Sequence, residues 1–229
     1  MNDSAQPKQS AEHAALMDKV YRRQRHIYDL TRKYYLLGRD RLIQDLDAKP
    51  GETVVEIGCG TARNLIRIAE TYPNAKLFGL DASAEMLQTA KEAIARAGFS
   101  ERIVLKHALA DELSPGLFGL DRPFDHVIFP YSLSMIPDWR GALRCGAQNV
   151  RAGGFVHVVD FGDFRSLPAL ASKALRAWLR LFHVAPREEL LSWLESGTQA
   201  REQRSFRIWP GRYAFVMKAK PAAISQLPG

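Results

Sequence analysis

The stretch VVEIGCGTA at 54–62 decides how this chain is read. A β-branched run, Thr53 to Ile57, is followed at once by two glycines one residue apart and then by a helical pattern from Leu65 to Thr71. Gly58 can take the tight turn between strand and helix, and Gly60 lets the backbone approach a ligand, because neither carries a Cβ. The third glycine of a dinucleotide fingerprint would fall at Arg63, and the Lys-Ser/Thr pair of a P-loop is missing. A nucleotide-like ligand without phosphates therefore suits the loop better than a nicotinamide, a flavin or a nucleoside triphosphate. Asp81 ends the next strand, Lys76 to Leu80, where a carboxylate can accept hydrogen bonds from both hydroxyls of a ribose. Its plainer reading is a turn or cap residue before the helix that Ser83 opens.

Outward from this loop, strands and helices alternate. Ser83 to Ala97 is helical and stops at Gly98; Arg102 to Leu105, Phe124 to Phe129 and Gly154 to Asp160 are short apolar strands, with a helix through 138–150. This alternation predicts an α/β, doubly wound, Rossmann-like sheet that is mostly parallel. Ser205 to Trp209, Pro210-Gly211-Arg212 and Tyr213 to Ala219 read as a hairpin that adds an antiparallel pair at one edge. Residues 13–46 hold a single glycine and no proline and read as one or two helices. The expected division is an N-terminal helical lid at 1–49 and a sheet domain at 50–229.

The chain has 229 residues, 46% of them hydrophobic and 25% charged, enough for one full core. Its net charge of +7 is unevenly placed: residues 19–41 carry +6 and 164–229 carry +7, whereas 42–163 carry −4. Bulk positive charge therefore does not hold the ligand of the middle region, and the basic flanks suit an anionic membrane surface or a polyanion. Cys59 and Cys145 have no CxxC or zinc-ligand spacing, so neither a disulfide framework nor a metal is expected. The polar first 18 residues lack a signal-peptide core and no apolar run is long enough to span a bilayer, so the expected place is the cytoplasm.

EIGCGTA, followed by LFGLDAS at 77–83 and SAEMLQTA at 83–90, resembles the seven-stranded S-adenosylmethionine-dependent methyltransferases. The resemblance implies S-adenosylmethionine as cofactor. Glu56, Gly58, Cys59 and Gly60 would hold its methionine end and Asp81, beside Ala82, its ribose, with Met86 against the adenine. The chain departs from the family pattern in two places. Ala62 stands where glycine is commonest, and the usual Gly-Asp-Ala after the third strand reads Ala108-Leu109-Ala110, which leaves the backbone of Leu109 and Ala110 to meet the adenine.

Methyl transfer from a sulfonium is an in-line displacement, so the protein chiefly aligns donor and acceptor. The acceptor is read from segments outside the common fold: YRRQRHIYDLTRKYYLLGRD at 21–40, FPYSLSMIPDW at 129–139 and VVDFGDF at 158–164. Together they resemble the bacterial betaine-lipid N-methyltransferases, and the match is close in QRHIYDLTRKYYLLGRD. That resemblance implies trimethylation of the amine of diacylglyceryl homoserine; phosphatidylethanolamine and quinone methyltransferases are the nearest alternatives. On this reading Tyr28, Tyr131 and Asp160 are the candidate catalytic residues. Tyr28 and Pro130 also lie beside the cofactor, and Tyr21, Arg25, Arg32, Tyr34, Tyr35, Arg39, Tyr131, Ser132 and Asp163 bind the acceptor. Aromatic faces attract cationic amines and Arg pairs with a carboxylate, though the same tyrosines can simply pack a helix on the sheet. His107, His126 and His157 sit in or beside strands and read as structural.

The Leu167 to Val184 segment has helical spacing and no acidic residue between Phe164 and Arg187. It reads as a basic amphipathic helix with Lys173, Arg176 and Arg180 opposite Leu170, Ala174, Trp178, Leu181 and Phe182, fit either to lie on an anionic membrane or to cap the site. A nucleic-acid-binding protein on the same scaffold is the alternative of another class. It lacks a recognisable RNA-binding module, so no nucleic-acid partner is expected.

Overall fold

The computed structural model describes residues 36–196 and 203–228. Along the chain run α1 (Arg39–Leu46), β1 (Thr53–Ile57), α2 (Arg63–Thr71), β2 (Lys76–Asp81), α3 (Ala84–Arg96) and β3 (Ile103–His107). Two 3₁₀ turns, Ala110–Glu112 and Pro115–Phe118, lead to β4 (Phe124–Pro130), α4 (Trp139–Gln148) and β5 (Val150–Phe161). Then come α5 (Ala169–Arg180), α6 (Glu188–Ser196), β6 (Arg204–Ile208), β7 (Ala214–Ala219) and the short α7 (Pro221–Ile224).

The strands form one seven-stranded sheet in the order β3-β2-β1-β4-β5-β7-β6. β1 pairs in parallel with β2 on one side and β4 on the other, so the chain reverses its direction of travel across the sheet between these two. The carboxyl ends of β1 and β4 border the crevice where open α/β sheets take their ligands. β7 runs antiparallel to both β5 and β6. β6 and β7 thus form the expected antiparallel hairpin at the sheet edge, and β7 alone opposes the direction of the rest, because two successive reversals return β6 to it.

The central parallel strands β1 and β4 are buried along their whole length, which is why TVVEI reads as a continuous apolar run. Val54 packs with Leu65 and Ile68 of α2 and Leu42 and Leu46 of α1, while Val55 and Ile57 face Leu143 of α4 and Leu190 of α6. Residues 36–46 therefore share the core of the sheet. Ser83 caps α3, its Oγ accepting the Met86 amide at 3.2 Å, as the sequence predicts. Helix α6 was not expected. Its start is nevertheless written locally, with Pro186 before it, Glu188 and Glu189 in the first turn and Leu190, Leu191 and Leu194 buried. Of the helix expected over 13–46, Arg39–Leu46 is described and the remainder up to residue 35 lies outside the described residues.

Candidate active site

The glycine loop is built from the ends of β1 and β2. The amides of Gly58 and Cys59 both donate to the Leu80 carbonyl, at 2.8 and 3.1 Å, which folds the turn back onto the neighbouring strand. Gly58 has φ +70°, and a Cβ there would sit 2.8 Å from the Cβ of Ser132 in the loop after β4. Ala62 has φ +61° at the entry to α2. The left-handed backbone explains why glycine is commonest at this position, since an L side chain is disfavoured there.

Asp81 fills the turn and cap role considered from the sequence. Its Oδ2 accepts the Gly60 amide at 2.7 Å and its Oδ1 the Ser83 amide at 2.9 Å. The carboxylate thus orders both the loop and the start of α3, and a carboxylate offers about four acceptor positions in all. Glu56 is buried in β1, where its Oε1 accepts from Asn64 Nδ2 at 2.7 Å. Met86 is buried and packs with Met135 and Phe182. The Ala82 carbonyl meets His107 Nε2 at 2.9 Å, tying the end of β3 to the turn beyond Asp81. The Leu109 amide donates to Glu112 at 2.6 Å, so it is committed within its own turn.

Among the described residues, the buried Ser132 Oγ and Asn64 Oδ1 find no hydrogen-bond partner. Buried polar atoms are rarely left so. Polar atoms awaiting a partner, a loop cleared of side chains and an oriented carboxylate together fit an aminoacyl-nucleoside such as S-adenosylmethionine. Gly58 and Gly60 would admit its methionine end, Asp81 its ribose, and Met86 its adenine.

The acceptor side departs further from expectation. Tyr131 follows Pro130 with φ +59°, and its hydroxyl donates to the Leu37 carbonyl at 2.5 Å. Its ring lies edge-on to Phe161 at 4.8 Å and is buried. Its hydroxyl straps the segment before α1 to the β4 loop, and the expected place of its ring in a head-group wall is a reading from the sequence alone. Asp160 is wholly buried, with Oδ2 accepting the Ser134 amide at 2.9 Å and Oδ1 the Phe161 amide at 2.8 Å. Burial raises its carboxyl to about 6, the amides and Arg187 offsetting part of the effect. Both Asp160 oxygens are thus engaged by loop amides, and the catalytic role is an expectation from the sequence alone.

Asp163 is held by Arg212 through two nitrogens, at 2.7 and 2.8 Å, and Arg212 also grips Glu195 of α6. Burial alone would raise the Asp163 carboxyl, but the Arg212 bonds and the Arg165 amide hold it below the usual range. Its two oxygens are engaged by Arg212, and the expected contact with an amine is a reading from the sequence alone. Arg39 is buried in the first turn of α1. Tyr21, Arg25, Tyr28, Arg32, Tyr34 and Tyr35 lie outside the described residues.

Arg187, missed in the sequence, braces the loop after β4 from beyond α5: its Nε donates to the Leu133 carbonyl at 2.9 Å and its Nη2 to that of Ile136 at 2.6 Å. The Ala185 amide adds a bond to the Ser134 carbonyl at 2.8 Å. No local pattern announces these contacts, because the partners lie some fifty residues apart in the chain. His126 and His157 are structural: His126 Nε2 faces Glu52 at 3.1 Å and its Nδ1 faces His157 Nε2 at 3.1 Å. Since the carboxylate can only accept, His126 donates from Nε2 and receives the His157 proton at Nδ1. The Cys59 thiol is pushed well above its ordinary value by burial and then by Asp81 and Glu56, so it stays protonated and inert. Among the described residues there is no cluster fit to hold a metal, and no helix is long and apolar enough to cross a membrane.

Residues 55–156 match the family described as methyltransferase domain. The chain is 34% identical over 119 residues to a demethylmenaquinone methyltransferase of Bacillus cytotoxicus, an alignment covering 52% of this chain and 48% of that protein. It is 28% identical over 167 residues to the Staphylococcus aureus protein of the same name, covering 70% and 66%. The chain thus spans about half to two thirds of the length of these curated relatives. Among solved structures, the plantazolicin methyltransferase BpumL, complexed with a desmethyl analogue and SAH, superposes with a TM-score of 0.62 at 13% identity, over 93% of this chain and 98% of that one. The apo methyltransferase SibL gives 0.61 at 23% identity, over 85% and 58%. The fold is that of these solved methyltransferases, and residues 55–156, which contain the glycine cradle, are the part that matches the methyltransferase domain.

Proposed function

We propose that the protein transfers the methyl group of S-adenosylmethionine to the head of a lipid-soluble acceptor held against the loop after β4. The observation that carries the cofactor is the cradle of Gly58, Gly60 and Asp81, with the buried Ser132 hydroxyl directly across from Gly58. When bound, the cofactor supplies an electrophilic methyl on a sulfonium that departs as a neutral thioether. The chain's own part is to hold Ser132 and its neighbours rigidly over the glycine loop, which Asp160, Arg187 and Tyr131 do from separate elements.

For the acceptor, the curated relatives favour the ring of a demethylated menaquinone, and the carboxylates at this edge are in keeping with it. Asp160 is spent on backbone amides and Asp163 on Arg212, so neither is disposed to draw in an ammonium group. Met135 and Phe182, packed beside the adenine-side Met86, offer an apolar neighbourhood suited to a flat ring. The second reading, successive methylation of the diacylglyceryl homoserine amine, rests on the QRHIYDLTRKYYLLGRD resemblance. The test is a methyl-transfer assay with labelled S-adenosylmethionine and each acceptor in mixed micelles, with products resolved by mass. A single methyl on the quinol ring is expected. Up to three methyls on homoserine with none on the quinol would instead establish the second reading, and no transfer to either by protein that binds the cofactor would sink the lipid-acceptor proposal.

A further inference from the structure

Helix α5 has two faces of opposite character, and the structure turns them differently from the sequence expectation. Leu175, Trp178, Leu179 and Phe182 point inward: Leu179 is buried, and Trp178 and Phe182 meet edge to face at 5.0 Å. Phe182 reaches Met86 and Met135 at the cofactor cradle. Arg176, expected beside Lys173 and Arg180, is also drawn in, donating to Glu188 and to the Asp163 carbonyl and lying over the Phe164 ring at 5.4 Å. The cap reading therefore accounts for the inner face.

The outer face has nothing over it among the described residues. Leu170, Ala174, Ala177 and Leu181 recur at helical spacing and are all exposed, Leu170 at 83% and Leu181 at 70%. These two leucines are far more open than the other exposed large apolar residues, which lie between 41% and 43%. Lys173 and Arg180 flank the stripe, both exposed, and neither forms an ion pair among the described residues. Arg165 near the base of the helix is 63% exposed. The carboxylates nearest in sequence, Asp163 and Glu188, are already paired with Arg212 and Arg176. An apolar ridge flanked by unpaired cations, on a segment free of acidic side chains, complements an anionic bilayer: leucines enter the acyl boundary while Lys and Arg meet the phosphates.

We propose that the outer face of α5 docks the protein on an anionic phospholipid bilayer, with Leu170 and Leu181 as apolar anchors and Lys173 and Arg180 as phosphate contacts. Because the inner face of the same helix packs beside Met86, docking here sets the cofactor crevice against the lipid layer. The inference rests on this surface and is independent of which acceptor is methylated.

The test is co-sedimentation of the full chain with vesicles of phosphatidylcholine alone or mixed equally with phosphatidylglycerol, at low and high salt. Binding to the anionic vesicles, reversed by salt, is expected. Lys173→Glu with Arg180→Glu should weaken it by roughly 25-fold or more, since each basic residue near such a surface contributes roughly fivefold. Leu170→Glu with Leu181→Glu should weaken it about tenfold or more at low salt. As these side chains project into solvent, the thermal unfolding midpoint and S-adenosylhomocysteine affinity should be unchanged; Leu170→Ser with Leu181→Ser repeats the test if the acidic pair disturbs folding. Equal binding by wild type and both variants would overturn the proposal by moving the contact elsewhere in the chain. Equal partition onto neutral and anionic vesicles would remove its electrostatic basis. A wild-type dimer in sedimentation equilibrium that the leucine substitutions dissociate would also overturn it, making the ridge a protein interface.

Discussion

Gly58 is the residue at which geometry is most demanding. Its φ of +70° disfavours any L side chain, and Ser132 stands 2.8 Å from where a Cβ would lie. In Gly58→Ala the left-handed backbone alone costs roughly 1–2 kcal/mol, and relieving the contact must move either the loop or Ser132. We expect at least a tenfold loss of S-adenosylhomocysteine affinity by calorimetry, with a lowered unfolding midpoint; unaltered affinity would remove the loop from the cofactor site. Single-residue chemistry of this kind is legible in sequence because it depends on neighbours in the chain. Asp160 and Asp163 were harder to read, since a carboxylate at the carboxyl end of a strand looks the same whether it faces a ligand, an amide or an arginine.

At the scale of elements, the loop after β5, the β6–β7 turn and α6 are joined by the Asp163–Arg212–Glu195 network. Asp163 is 2% exposed and Arg212 22%, so this is a largely buried pair. Removing one partner leaves an uncompensated charge, which costs on the order of 3–5 kcal/mol. Arg212→Ala should approach the lower end, because Arg165 also contacts Asp163, at 3.3 Å. Urea unfolding of Arg212→Ala and of the Asp163→Asn, Arg212→Ala pair checks this. The double variant should recover part of the loss, and a double variant no more stable than the single would show that the arginine acts by packing alone. The existence of β1 to β5 and their helices followed from periodicity. The extra length of β5, back to Val150, did not, because the helix read through 138–150 took in Val150 and the strand was read only from Gly154, whereas Phe124 of β4 pairs with Val150.

Over the whole molecule, two buried groups oppose each other in acid. Burial, reinforced by His126 and Lys218, pushes the His157 imidazole well below its ordinary value. The unfolded chain therefore takes up a proton that the folded chain refuses, and stability present above about pH 6.5 is lost as pH falls. Asp160 has the reverse sign. Its carboxyl, raised to about 6, keeps its proton where the unfolded chain releases it, so its contribution is full below about pH 4 and lost as pH rises through 6. Between about pH 4 and 6.5 the two changes offset one another. Asp160→Asn should leave the histidine dependence exposed, with a urea midpoint that falls more steeply on acidification than in the wild type. Equal slopes would show that Asp160 is not the compensating group.

By itself, the sequence determined the sheet, the glycine cradle, Asp81 and the capped helix carrying Met86, because each depends on backbone conformation and periodicity within a few residues. Tertiary structure decided what the remaining polar groups do. The contacts from Asp160 to the Ser134 amide, Tyr131 to the Leu37 carbonyl, Arg187 to the β4 loop and Arg212 to Asp163 join residues 26 to 94 positions apart. It also decided which side of α5 meets the core, placing Trp178 and Phe182 inward and Leu170 and Leu181 outward. An amphipathic pattern records that a helix has two faces; only the elements packed beside it determine which of them water, or a membrane, will meet.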